Sequence, residues 1–192
     1  MSEHAVNTDY DHTVELFWSF RSPYAYLAMP RLERLRQETG VAIEMRVVHP
    51  NILRNPNYFK TMNPLARPYF MRDTKRMADY LGMPFRRPLP DPIEQNPETL
   101  EVAPEQPVAR WLGQLGVAAT EAGRGFEFCW EVAQLLWNGQ TDQWQTGEHL
   151  SQACARAGLD WTVLQRTVNE RQHALEAQLQ AHAQALTAAG HW

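Results

Sequence analysis

The chain has 192 residues, 44% of them hydrophobic, including seven Trp, seven Phe and six Tyr. That is enough apolar material for one domain with a real core, or one domain carrying an insertion. A formal net charge of -4 with 21% charged residues excludes the strong basic excess of a nucleic-acid binder, the nearest cluster being Arg86-Arg87 in a proline-rich stretch.

No segment is apolar for long enough to cross a bilayer, so no membrane partner is expected. The polar start of the chain, Met1 to His12, lacks the apolar centre of a secretory signal. Cys129 and Cys154 lie far apart and form no CxxC pair, so a reducing, cytoplasmic location is expected, with both thiols packing helices.

In chain order, residues 1–13 read as an extended or disordered tail. Val14, Leu16, Trp18 and Phe20 alternate onto one face and predict a buried strand. Ser22-Pro23 follows as an N-cap and first helical position, opening an apolar stripe through Tyr24, Ala28, Leu32 and Leu35 that stops at Gly40. Val41 to His49 predicts a second strand ended by Pro50. Residues 14–54 thus form a βαβ unit, of the kind that builds a parallel sheet.

Beyond it the pattern turns helical. Pro68 to Leu81 predicts a helix with Phe70, Thr74, Met77 and Leu81 on one face and Gly82 as its stop. Seven of the thirteen prolines lie between Pro84 and Pro107, which predicts a loop. Helical patterns resume over 108–115, 120–137 and 146–157, and again from Asp160, a candidate N-cap. The domain reading is a helical insertion over 55–170 and a returning helix over 171–192. The seven His are scattered without metal-ligand spacing, and His49 before Pro50 reads as a strand end.

The chemistry concentrates in Phe17-Trp18-Ser19-Phe20-Arg21-Ser22-Pro23-Tyr24-Ala25-Tyr26-Leu27-Ala28. Here a strand ends and a helix begins, so backbone N–H groups and the positive end of the helix dipole converge on Ser22. An anion such as a thiolate is stabilised in that position. Spacing alone leaves two readings of Ser22, an ordinary N-cap and an anion site.

The pattern F-x-S-P-Y-x-Y-L-A resembles the opening motif of the 2-hydroxychromene-2-carboxylate isomerases and the kappa-class glutathione transferases, within the DsbA-like thioredoxin superfamily. The resemblance continues through Tyr69-x-x-x-Asp73-x-x-Arg76-x-Ala78-x-x-x-Gly82-x-Pro84 and through the aromatic-rich stretch from Phe128 to Gly139. It implies an α/β, thioredoxin-like domain whose N-terminal βαβ is followed by a large all-helical insertion. Ser22 and Ala25 take the two CxxC positions, which removes dithiol chemistry from this corner.

The resemblance further implies glutathione as cofactor, bound by Ser22, Pro23 and Tyr24, with Ser22 holding the thiolate. It also implies a small aromatic substrate contacted by Asn63 and Tyr69, an aromatic-pathway isomerisation, and a homodimer. A kappa-like transferase and a non-catalytic thioredoxin-like binding module are the alternatives. By themselves, Asp73 and Arg76 at i, i+3 also read as an ordinary surface pair, and Tyr69 and Trp137 as core residues.

Two departures stand out. Ser19 occupies a position where many relatives carry aspartate. The family also continues after its last helix with a Gly-Val-Pro-Thr strand start, a second strand and a closing helix, whereas this chain reaches Trp192 where that segment begins. The expectation is therefore a thioredoxin-like fold lacking its C-terminal part, with half the sheet and half the glutathione site. A truncation, a naturally short relative and a sheet completed by a partner all remain open.

Overall fold

The computed structural model describes residues 12–96, 98–99 and 101–191. Most of the polar tail, residues 1–11, lies outside them. Strand β1 (Thr13–Trp18) pairs in parallel with β2 (Ala42–Val47), in a register that sets Thr13 opposite Ala42 and Trp18 opposite Val47. Helix α1 (Pro23–Thr39) makes the crossover. Its ends follow local chemistry: Ser22 caps the start and Gly40, left-handed at φ 69°, stops it. Among the described residues these two strands are the whole sheet.

Two short helices follow, α2 (Asn51–Arg54) and α3 (Tyr58–Thr61), and then α4 (Ala66–Leu81). The proline-rich stretch is irregular apart from one antiparallel bridge between Gln95 and Val102. Helices α5 (Pro107–Glu121), α6 (Gly125–Trp137), α7 (His149–Arg156) and α8 (Trp161–Ala188) complete the described chain. Helix α8 is interrupted at Arg171, whose φ of -123° and ψ of 21° are not helical.

Three expectations change. The helix expected over 120–137 starts later: Thr120 and Glu121 belong to α5, and residues 122–124 form a turn. The face expected for α4 is rotated. Thr74 and Ala78 are buried, whereas Met77, Leu81 and Phe70 are partly exposed, because α1 is the main element packed against this helix. Asp73 does not pair with Arg76 but accepts from the Tyr24 hydroxyl across the α1–α4 contact.

One core joins sheet and helices. Trp18, Met45 and Val47 from the sheet and Phe20 from the turn after β1 meet Leu112 and Leu115 of α5, Phe128 of α6 and Leu175 and Leu179 of α8, all buried. Helix α5 approaches closely because Gly116 faces the sheet, where a Cβ would lie 2.9 Å from the Phe20 ring and 3.1 Å from Val47. Burial pushes the Cys129 thiol far up and the Cys154 thiol up to about 11, with help from Asp160 for the latter.

His49 does more than end a strand. Its Nε2 lies 3.0 and 3.1 Å from the two carboxylate oxygens of Glu176 on α8, which Arg110 of α5 also holds. With Nε2–H donating, Nδ1 is a bare acceptor, buried without a partner against the backbone of Gly113. Protonating Nδ1 would bury a donor with nothing to accept it. Burial accordingly lowers the His49 pKa, outweighing the Glu176 carboxylate, and Arg110 and Arg54 add to the lowering.

The unfolded chain then takes up this proton more readily, its His titrating near about 6.5. The His49 contribution to stability is full above that pH and is lost as pH falls from about 6.5 toward the lower folded value. The urea midpoint of the wild type should therefore drop more between about pH 7.5 and pH 5.5 than that of His49→Gln. Equal pH slopes in the two proteins would remove the assignment.

Candidate functional site

The corner between β1 and α1 is where the functional groups gather. Ser22 sits in an extended conformation, with φ -95° and ψ 112°, and its Oγ accepts from the Ala25 N–H at 3.2 Å. Its own N–H donates to the Ser19 carbonyl at 3.0 Å, which closes the turn. As an acceptor from Ala25, the hydroxyl keeps its proton for donation outward. Pro23 has no N–H and the helix leaves the Tyr24 N–H without an internal acceptor, so the open end of α1 is electropositive.

Ser22 opens onto a cavity of about 630 Å³. Three arginines line it, Arg21, Arg54 and Arg67, and among the described residues no carboxylate does. Two of the three are held in place. Arg21 is chelated by Asp91, with Nε and Nη2 at 2.7 and 3.0 Å from its two oxygens, while Arg87 holds the same carboxylate at 2.9 Å. Arg54 donates its Nε to the His49 carbonyl at 2.9 Å. Arg67 at the start of α4 makes no ion pair among the described residues. A low-dielectric recess with cations on its wall favours an anionic ligand.

Asn51 adds the second polar feature. It lines the cavity, and its Oδ1 is buried without a hydrogen-bond partner. An acceptor in that state is satisfied by a ligand N–H, or by water. The remaining wall is largely apolar, with Phe17, Val48, Ile52, Met62 and Phe70 among its members. Beside it, Pro23, Arg67 and Phe70 also line a smaller recess backed by Met71, Phe85 and Trp137.

Tyr24 faces the cavity but is committed elsewhere. Its hydroxyl donates to Asp73 of α4, and its ring meets Phe70 edge-on at 5.4 Å. Burial, and then the Asp73 carboxylate, push its pKa up to about 12, so it stays a neutral phenol and a wall between α1 and α4.

The site residues expected from sequence therefore divide. Ser22, Pro23 and Tyr24 meet on the cavity wall. Asn63 does not line it: exposed, it accepts from the Leu65 N–H at 2.9 Å, just before α4 begins. Tyr69 points to solvent and its neighbour Phe70 takes the cavity side. Asn51, Arg54 and Arg67 share no sequence period with Ser22, so nothing in the sequence marked them. Leu186 and His191 also reach the cavity, from the end of α8.

Cap chemistry and ligand chemistry at Ser22 are separable. Ser22→Ala should cost about 1 kcal/mol of folding stability, and Ser22→Gly only a few tenths. Denaturant titration of the two variants measures the difference, and equal losses would mean that Oγ does not cap α1.

Comparisons with known proteins agree with this architecture. Residues 13–190 match the family model described as a DSBA-like thioredoxin domain. No curated protein matches the chain. A solved 2-hydroxychromene-2-carboxylate isomerase superposes with a TM-score of 0.61 at 18% identity, covering 88% of this chain and 78% of its own. The cytosolic disulfide reductase DsbM from Pseudomonas aeruginosa gives a TM-score of 0.58 at 14% identity, covering 93% and 80%. At such identities the likeness speaks for the fold alone. With a family model matched over nearly its whole length and a βαβ unit followed by helices, the chain belongs to the DSBA-like thioredoxin domain family.

Proposed function

We propose that this chain is a glutathione-dependent isomerase of the 2-hydroxychromene-2-carboxylate type, acting on a small aromatic substrate. The carrying observation is Ser22: a hydroxyl with its proton free, at the positive end of a helix, opening into a cavity lined, among the described residues, by three arginines and no carboxylate. Dithiol chemistry has no support, because Ser22 and Ala25 stand at the CxxC positions and both cysteines are buried.

The donor set fits glutathione. Its two carboxylates match the guanidinium groups of Arg54 and Arg67, and one of its N–H groups matches the unpartnered Oδ1 of Asn51. Glutathione, when bound, supplies a thiolate that adds reversibly to an activated alkene, so that a double bond becomes rotatable before the thiol leaves again. The chain's own part is electrostatic and geometric. Ser22 donates to sulfur and, with the open Tyr24 N–H and the positive end of α1, lowers the thiol pKa from its free value of about 8.5. The apolar wall around Phe70 excludes water and orients a flat ring.

Calorimetric titration of glutathione into the chain tests this reading. Binding should be measurable for the wild type and weaken about tenfold or more in Ser22→Ala. Ultraviolet titration of the bound thiolate should give a pKa below about 8.5 in the wild type, and a higher one in the variant. No binding to either protein would leave a non-catalytic thioredoxin-like module.

A further inference from the structure

The end of β1 carries a backbone donor and acceptor that nothing among the described residues uses. The His12 carbonyl accepts from the Ala42 N–H at 3.2 Å and the Trp18 carbonyl from the Val48 N–H at 2.8 Å. In a parallel ladder without a bulge, every second residue faces the partner strand, so the even-numbered residues of β1 face β2. Thr13, Glu15 and Phe17 turn their N–H and C=O groups to the opposite edge, where no strand pairs among the described residues.

Past this point the carbonyls of the corner are all engaged. That of Trp18 has Val48, that of Ser19 accepts from the Ser22 N–H, and that of Phe20 accepts from the Trp137 indole. Phe17 differs: among the described residues its carbonyl has no donor and its N–H no acceptor. Thr13 and Glu15 are exposed, so water serves their edge groups, and the Glu15 carboxylate is held by Arg46. Phe17 is half-buried and lines the Ser22 cavity, which Thr13 and Glu15 do not. A donor and an acceptor turned into a recess in this way are satisfied by a ligand or by water.

An unpaired strand edge is bound by the main chain of an extended peptide. Here the edge meets the cavity at one residue, and a volume of about 630 Å³ suits a short peptide rather than a whole strand. The cysteinyl residue of glutathione carries the complement of Phe17, one amide N–H and one carbonyl. We infer that glutathione lies along the edge of β1, its cysteinyl N–H donating to the Phe17 carbonyl and its cysteinyl carbonyl accepting from the Phe17 N–H. The two residues then exchange both bonds, as in the closed pair of an antiparallel ladder. The glycyl N–H remains for Asn51 Oδ1, the carboxylates for Arg54 and Arg67, and the thiol for Ser22 on the same wall. The inference rests on the glutathione reading of the cavity and adds the register in which the ligand lies.

Amide proton exchange of the full chain, read by NMR with and without glutathione, tests it. With glutathione at about 20 times Kd, the Phe17 amide should exchange at least about tenfold more slowly. The Thr13 amide, about 13 Å back along the same edge, should keep its rate. Glutathione methylated on the cysteinyl nitrogen lacks the donor and should bind at least about tenfold more weakly in calorimetry. Glutathione binding that leaves the Phe17 rate unchanged, or equal affinity for the methylated ligand, would overturn the register and leave the Ser22 site standing. No binding of glutathione would remove the reading of the cavity and this inference with it. Phe17 and Thr13 amides protected alike before glutathione is added, in a chain that sediments as a dimer, would overturn it by assigning the edge to a second copy.

Discussion

Trp137 donates its indole N–H to the carbonyl of Phe20 at 2.9 Å, in a buried contact between the last turn of α6 and the end of β1. The placement of Ser22 depends on it. Without that donor, Phe20 would bring an unsatisfied carbonyl into the core at the point where the chain must leave the sheet and start a helix. The indole is itself held by Phe85, stacked at 5.7 Å and nearly parallel, and Arg86 N–H donates to the Trp137 carbonyl. The helical insertion therefore builds the back of the corner whose front is the Ser22 cavity.

The electrostatics of the cavity follow a similar division. Arg21 owes its position to Asp91, within the proline-rich stretch, and Arg54 owes its position to the backbone of His49. The imidazole of His49 is in turn anchored through Glu176 to α8 and Arg110. Elements distant in sequence thus fix the cations in advance. Preorganised charge of this kind is more effective toward a bound anion than side chains that must gather around it.

What was legible in the sequence was local. The β1–α1–β2 unit follows from alternation, an N-cap and a glycine stop, all of which act within a few residues; the structure shows the cap, the stop and the alternation of β2, whereas β1 is exposed at Val14 and buried only at its end, at Trp18. The α4 face was misjudged for the same reason. Apolar periodicity says which residues could be buried, but a helix packed mainly against α1 has one narrow inner side, and Thr74 and Ala78 take it. The cavity wall could not be read in advance, since Asn51, Arg54, Arg67 and Leu186 converge only after folding. Nor could the role of His49, whose partner Glu176 is 127 positions away.

The burial of the two cysteines has a consequence of its own. Both thiols are sealed in the core, with pKa values raised so that almost no thiolate forms at neutral pH, and neither lines the Ser22 cavity. A soft electrophile that enters the cavity therefore meets neither cysteine thiol. Alkylation of cysteine is closed off here by packing, and any thiol chemistry rests with what the cavity admits.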